Sequence, residues 1–171
     1  MSRIASSRRD LAIGELRRRH IPIVSVLIAG LAALLPIVAE TPLVPDLAFL
    51  ILLAWRLLRP EIWIAAAALP LGLYSDLVAG HPLGQSMALW TIALLLLDFL
   101  DTRLTWRDYW TDWMVAALIL LLYVAGGWYV ARLMGSQTRF SVMLPQLALS
   151  ILAFPLVARL VLALDRWRLA R

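Results

Sequence analysis

The placement of arginines between long apolar stretches is the feature that most restricts how this chain can fold. All 16 basic residues are arginines, and hydropathy divides the 171 residues into six stretches of near-membrane length. With the N-terminus inside, fourteen arginines lie inside and two, Arg132 and Arg139, lie outside. Because cytoplasmic segments retain arginine during membrane insertion, the sequence predicts a multi-pass protein of the bacterial inner membrane with both termini in the cytoplasm.

Composition excludes most soluble classes. The chain is 63% hydrophobic with a mean hydropathy of +0.84, whereas soluble domains are about 45–50% apolar. Its net charge of +5 would suggest nucleic acid as the partner of a soluble protein, but the arginines form short separate clusters that topology already explains, so we expect a lipid bilayer and no nucleic acid. There is no cysteine, which excludes disulfides and thiol chemistry.

The apolar stretches predict an all-α membrane protein, a single bundle of about six transmembrane helices. The bundle covers residues 21–164, between a basic cytoplasmic segment at 1–20 and a short cytoplasmic tail at 165–171. The predicted helices are 21–39, 43–58, 62–79, 83–100, 112–131 and 141–164. A span needs about 20 residues, so the short second helix either recruits Thr41 and Pro42 or stays shielded inside the bundle.

The N-terminal region has two alternative interpretations as a targeting signal. Arg8 and Arg9 resemble a twin-arginine export signal, and cleavage of a signal peptide near Ala39 is a second possibility. The chain after residue 40 has no soluble character, and Ile37 occupies a position that cleavage requires to be small. We therefore expect the first helix to remain uncleaved.

Several features at the ends of the predicted helices have more than one interpretation. The second helix ends in Trp55, Arg56, Arg59 and Pro60, predicted as an interfacial tryptophan, snorkelling arginines and a helix stop. The aromatic and charged loop at 101–111 is either a membrane anchor or a docking surface. The prolines that can kink apolar stretches are Pro36, Pro70, Pro145 and Pro155.

Asp76 is the leading candidate for a functional residue, because ionisable groups inside a membrane are costly. It lies in a glycine-rich stretch near the outer end of the third predicted helix. It either serves as a polar anchor that fixes the turn into the fourth helix, or binds a partner, or only caps the turn by accepting from backbone donors, and we favour a structural role. Asp98, near the inner end of the fourth helix, is expected to reach water or pair with an arginine. Gly126 and Gly127 serve either helix association or internal packing.

Enzymatic chemistry has little support in this sequence. Asp46 and Asp76 both lie toward the outside, where two acids could share a proton, and this pair is the remaining hydrolase candidate. The two histidines, His20 and His81, lie on opposite sides, and His81 with Asp76 and Glu40 lacks metal-site spacing. No nucleotide-binding or serine-hydrolase motif occurs. We expect no enzyme activity, no cofactor and no metal.

Three short motifs together resemble the MreD family of rod shape-determining membrane proteins. They are the Pro-Asp-Leu sequence at 45–47, the Trp-to-Pro sequence at 55–60 and the glycine-rich sequence at 72–84. The resemblance assigns the motif residues to fold maintenance and partner contact, not to catalysis. These residues are Pro45, Asp46, Arg59, Pro60, Gly72, Asp76, Gly80, Pro82 and Gly84.

The resemblance implies a non-enzymatic membrane scaffold of the bacterial elongation complex. Such a protein binds MreC directly and helps couple MreB filaments to the RodA glycosyltransferase and a class B penicillin-binding transpeptidase. The resemblance also implies a fold similar to the S components of energy-coupling-factor transporters. A substrate-binding subunit of a small-molecule transporter is therefore an alternative function, and an intramembrane hydrolase using the outer acids is a further one.

Overall fold

Helices make up the described part of the molecule. The computed structural model describes residues 8–35, 44–103 and 108–169, with side chains from residue 20 onward. Within these ranges the chain forms six α-helices and four short 3-10 turns, and it has no strand. The helices are α1 (Arg8–Leu31), α2 (Leu47–Leu58), α3 (Ala68–Ala79), α4 (Gln85–Arg103), α5 (Tyr109–Leu133) and α6 (Leu144–Leu169). The prediction of an all-α chain with about six helices is confirmed.

Three segments have the length and apolar composition needed to cross a membrane. They are α4, α5 and the segment Phe140–Leu169, which joins a 3-10 turn to α6. The apolar segments His20–Leu34, Leu47–Leu58 and Ala65–Ala79 are shorter. Large apolar side chains on the outside of the long helices, such as Leu95, Leu122 and Leu152, are about half exposed or more. An apolar exterior of this kind suits contact with lipid.

Helix α2 forms the centre of the bundle. All ten residues from 48 to 57 are buried, and α1 and α6 pack directly against the helix. Twelve residues extend only about 18 Å, less than the bilayer core of about 30 Å. Of the two predictions for this short segment, the structure shows the shielded one, while Thr41 and Pro42 lie outside the described residues.

The remaining packing follows the order of the chain. Helix α3 pairs with α4, α4 with α5, and α5 with α6, and α1 also contacts α3. The core between them contains the aromatic side chains Phe49, Trp55 and Trp90. Phe49 and Tyr123 stack with their ring centroids 4.1 Å apart. The short connections predicted from sequence thus produce neighbouring helices in one bundle.

Helix ends differ from the predicted bundle limits of 21–164. Helix α1 begins at Arg8 and α6 continues to Leu169. The last turn of α6 continues past the apolar stretch because Asp165 and Arg168 turn inward and are buried. The third helix is also shorter in the structure than predicted, because 3-10 turns at Pro60–Ile62 and Ala65–Ala67 precede α3.

The prolines mostly mark helix beginnings. Pro60 opens a 3-10 turn, and Pro70 and Pro145 lie in the first turns of α3 and α6. A proline is tolerated there because the first backbone amides of a helix have no intrahelical acceptor. Pro155 lies inside α6, where a kink is possible, and Pro36 lies outside the described residues.

Candidate functional site

Two groups of polar residues lie at opposite ends of α2. Asp46 precedes its first residue, and Arg56 and Arg59 lie at its last turn and just beyond. We call the cluster around the two arginines the ion-paired end; it also contains Asp98, Asp101, Asp165 and Arg168. We call the opposite region the cavity end; it contains Asp46, Asp76, the α3–α4 turn and Tyr123.

Arg56 is the most deeply buried cation of the ion-paired end. Its side chain is 3% exposed, and Nη2 lies 2.6 Å from Oδ1 of Asp98 and 2.7 Å from Oδ2 of Asp101. Both aspartates belong to the last turns of α4, so the arginine ties the end of α2 to the end of α4. Its Nε and Nη1 atoms are buried without a hydrogen-bond partner in the described structure. An uncompensated charge here would be costly.

Arg59 joins the same end of α2 to α6. Its Nε and Nη2 atoms donate to Oδ2 of Asp165 at 3.1 and 2.9 Å, and Nε of Arg168 donates to Oδ1 of the same carboxylate at 2.6 Å. The hydrogen bond and the charge of Asp165 raise the pKa of Arg59 above its ordinary value. Hydrogen bonds between charged groups of this kind are shorter and stronger than those between neutral groups.

The predicted roles of Trp55 and Arg56 as interfacial groups are wrong. Trp55 has no exposed surface and donates its ring N–H to Oγ of Ser25 at 2.9 Å. The guanidinium of Arg168 lies 5.2 Å from its ring centroid. Because α2 is surrounded by other helices, both side chains point into protein rather than toward a lipid–water boundary. The prediction that Asp98 pairs with an arginine is confirmed, with Arg56 as the partner.

Asp76 holds the turn between α3 and α4. Its carboxylate is 1% exposed, and it accepts the backbone N–H of Gly84 at 2.9 Å and that of Ser86 at 2.8 Å. The backbone oxygen of Asp76 accepts the amide of His81 at 3.1 Å. The side chain thus supplies acceptors for the start of α4, where amides lack helical partners. A buried carboxylate is stable there because both oxygens are bonded and the helix end is positive.

The turn requires the glycines that surround Asp76. Gly80 ends α3 with φ of 70° and Gly84 precedes α4 with φ of 95°, backbone conformations that residues with a Cβ adopt at a cost. Pro82 lies between them, and its carbonyl accepts the amide of Gln85 at 3.0 Å. Gly72 has a different role, since a Cβ there would lie 2.6 Å from the backbone nitrogen of Met87. It allows α3 and α4 to touch.

Asp46 caps the N-terminus of α2. Its Oδ1 accepts the amide of Phe49 at 3.0 Å, and its Oδ2 accepts the hydroxyl of Tyr123 from α5. Pro45 is buried directly before it. A carboxylate at this position satisfies an otherwise free amide and faces the positive end of the helix dipole.

A cavity of about 510 Å³ opens beside Asp46. Its wall contains residues from all six described helices, α4 contributing only its first residue, Gln85, together with the turn between α3 and α4. The polar groups lining it are Asp46, Ser75, His81, Gln85, Tyr123 and Gln146. The remaining wall is mostly small and apolar, including Ala29, Val124 and Met143. Asp76, which lies behind the turn, does not line it.

The structure gives no support for the acid pair or the metal site considered from sequence. In the described structure, Asp46 bonds to Phe49 and Tyr123 while Asp76 bonds to Gly84 and Ser86, and no hydrogen bond joins the two carboxylates. The described residues contain no group of three or more His, Asp or Glu that could hold a metal. Glu40 lies outside them.

Gly126 packs inside the bundle. A Cβ on Gly126 would lie 2.4 Å from a methyl carbon of Leu89, so this glycine serves contact between α5 and α4. Gly127 has more room, with Nε2 of Gln85 at 3.5 Å. Of the two interpretations of this pair, internal packing describes the position of Gly126.

Sequence reasoning missed Tyr123 as a polar group of the site. Tyr123 lies in an apolar stretch and bonds to a residue 77 positions away, so no local pattern identifies it. A tyrosine within an apolar helix was the available signal, since a buried hydroxyl usually finds a partner. The structure brings Asp46, Gly72, Asp76, Gly80, Pro82 and Gly84 to the cavity half of the molecule and leaves Arg59 and Pro60 at the other end.

Helical folding, long apolar helices and polar groups turned inward between helices are typical of a helical membrane protein. The family model described as rod shape-determining protein MreD matches residues 17–166. Because this match covers most of the chain, including most of α1 and all or nearly all of the other five helices, the protein belongs to the MreD family and is a rod shape-determining membrane protein. Comparisons with curated proteins and with solved structures gave no match.

Proposed function

We propose that this protein is a non-enzymatic scaffold of the bacterial elongation complex. In this role it binds MreC directly and helps couple MreB filaments to RodA and a class B penicillin-binding transpeptidase. The observation that carries the proposal is the MreD match over residues 17–166. Family membership names shape determination as the task, and a scaffold performs it by holding partners together in the membrane.

The disposition of polar groups supports a scaffold. Asp76, Asp165 and Arg56 are almost fully buried and are bonded within the bundle. The outside is largely apolar, which suits association with other membrane helices through close packing. We propose that the motif residues maintain this fold and that the surface they support, rather than their own chemistry, meets MreC.

The aromatic surface at the start of α5 is our candidate for a second contact. Tyr109 and Trp110 are exposed, whereas the neighbouring Trp113 donates to the carbonyl of Ile151 at 3.0 Å. Exposed tyrosine and tryptophan are enriched at both membrane interfaces and protein interfaces. Residues 104–107 of the predicted docking loop lie outside the described residues.

We propose that all six helices are inserted in the inner membrane with both termini in the cytoplasm. Residues 1–20 and 165–171 form the cytoplasmic ends, and the ion-paired end faces inward. The excess of arginine on that side supports this orientation. Reporter fusions test it: a fusion after Gly80 is expected to be active outside and one after Arg171 inside, and the reverse result contradicts the topology.

Affinity purification of the tagged protein from its native membrane tests the scaffold proposal. We expect MreC and wall synthases to copurify, and depletion of the protein to round the cells. The same measurements on a Glu61→Gln variant serve as the control, because Glu61 is 67% exposed and pairs only loosely with Arg59, at 3.8 Å. Cells that keep their rod shape on depletion, with no second copy of the gene, contradict the proposal.

The cavity favours the second candidate, a substrate-binding subunit of a transporter. Its volume of about 510 Å³ is within the range of small-molecule sites, about 300–1,000 Å³. Recovery of an ATPase and its coupling subunit in the same purification would move the assignment to transport. Recovery of neither set of partners would count against both candidates.

A further inference from the structure

We propose that the cavity at the cavity end binds a small organic cation with a primary ammonium group. The site goes beyond the scaffold function and does not depend on MreC. It is built from the six described helices and the α3–α4 turn, and it combines one carboxylate, several uncharged polar groups and an apolar wall. Small-molecule sites have this composition, a mostly apolar cavity with a few convergent polar groups.

The charge of the cavity lining indicates which class of ligand the cavity binds. Asp46 is the single formally charged group among the described residues that line the cavity. Within the described residues Asp46 belongs to no ion pair, whereas the acids of the ion-paired end all have arginine partners. The end of α2 offers it only about half a positive charge. A ligand cation completes the neutralisation, and an anion is repelled.

Hydrogen-bond capacity favours a primary ammonium. Oδ1 of Asp46 already accepts from Phe49 and Oδ2 from Tyr123, and each carboxylate oxygen has a further acceptor site. Gln146 donates through Nε2 to the carbonyl of Val44 at 3.2 Å. The side-chain carbonyl oxygen of Gln146 is a further hydrogen-bond acceptor. An ammonium carries three donors, and the lining supplies matching oxygen acceptors.

The apolar wall accommodates the carbon part of the ligand. Ala29, Val124 and Met143 also line the cavity, and burial of methylene groups away from water is favourable. A short aliphatic amine is therefore a better match than ammonium itself or an inorganic cation. Two natural sources have this chemistry, a free amine and the ethanolamine headgroup of a lipid.

Binding of n-butylammonium, n-butanol and n-butanoate to the purified full chain tests the proposal. The protein is held in nanodiscs of phosphatidylglycerol, and binding is followed by calorimetry. We expect saturable binding of butylammonium at least about tenfold tighter than butanol, and none of butanoate. Equal affinity for the amine and the alcohol, or absence of saturable amine binding, overturns the proposal.

Asp46→Asn is the decisive variant. Asparagine caps a helix about as well as aspartate, so the variant removes the charge and keeps the cap. We expect it to lose the preference for butylammonium, while Glu61→Gln at the opposite end keeps it. Ala33→Leu adds bulk to the wall and is expected to weaken amine binding even if Asp46→Asn does not fold. Wild-type binding by both Asp46→Asn and Ala33→Leu overturns the site.

Nanodiscs that also contain phosphatidylethanolamine distinguish the two sources. Competition of this lipid with butylammonium identifies the headgroup as the natural ligand, and unchanged amine binding identifies a free amine. Both results support the ammonium site. The binding measurement uses the isolated protein. Failure to recover MreC therefore does not contradict the ammonium site, and failure to bind amine does not contradict the scaffold function.

Discussion

The two ends of α2 use aspartate in different ways. At the ion-paired end, Asp98, Asp101 and Asp165 accept from arginine side chains that come from distant parts of the chain. At the cavity end, Asp76 accepts from backbone amides eight and ten residues later. The first arrangement needs opposite charges in register across helices, whereas the second needs only a local turn. Charge removal should therefore affect the ion-paired end more strongly.

The largest effect is expected when Arg56 loses both acids. In Asp98→Asn with Asp101→Asn, a guanidinium that is 3% exposed loses its charge partners, and a broken buried pair costs about 3–5 kcal/mol. We expect the lower part of that range because Asp98 is 48% exposed. Unfolding in mixed micelles measures this loss, with Asp108→Asn as a control at an exposed N-cap whose side chain makes no capping bond in the described structure.

A comparison of Arg56→Met with the double acid variant tests whether charge or packing dominates the ion-paired end. Arg56→Met leaves two aspartates that are partly exposed and able to hydrate, so it should cost less than the double acid variant. A larger loss for Arg56→Met than for the double acid variant would show that packing, not charge, dominates the ion-paired end.

At the cavity end, Asp76→Ala should cost about 2–4 kcal/mol. The variant leaves the amides of Gly84 and Ser86 without acceptors, and each unsatisfied buried donor costs about 1–3 kcal/mol. Asp76→Asn keeps one acceptor and should lose roughly half as much. The comparison uses unfolding free energies of the two variants, and equal losses would mean that the charge of Asp76 matters more than its hydrogen bonds.

Alanine substitutions at Gly72 and Gly127 distinguish the effect of close packing from the effect of helix propensity. Gly72→Ala places a methyl group 2.6 Å from the backbone of Met87, and overpacking costs about 1–3 kcal/mol. Gly127→Ala is the matched control, since its nearest contact is 3.5 Å away and alanine gains about 1 kcal/mol in a helix. Thermal unfolding should move in opposite directions, and stabilisation of both variants would contradict the close contact.

The smallest effect is expected at Gly80. Gly80→Ala has no atom within 4 Å of the new Cβ, so the cost is the left-handed backbone alone, about 1–2 kcal/mol. Gly80→Asn should lose less because asparagine tolerates this conformation better. If the alanine and asparagine variants have the same unfolding free energy, the turn adapts its backbone and is less rigid than its hydrogen bonds to Asp76 suggest.

The number and approximate position of the helices could be predicted from sequence because hydropathy is a local property. Arg56 could not be placed, because the topology rule counts every arginine alike and does not say which one points inward. The pairing of Arg59 with Asp165 joins residues 106 positions apart, and no spacing rule reaches that far. The cavity is lined by residues of all six described helices, so it belongs to no single motif.

The glycine-rich sequence shows the opposite case. Gly80, Pro82 and Gly84 indicate a turn from their residue types alone, and the structure places the turn there. The burial of Asp76 behind that turn depends on the approach of α4, which Gly72 permits. The local turn could therefore be predicted from sequence, whereas contacts between distant helices could not.

The central position of α2 also sets an order of assembly. It is synthesised early, yet its ion pairs come from α4 and α6, and α6 also supplies much of its packing, beside that of α1. Chains emerge N-terminus first, so α2 carries the charge of Arg56, which becomes buried, before the partners of that charge exist. The bundle can close only after α6 has been made, and a chain interrupted before α6 leaves its innermost helix partly uncovered.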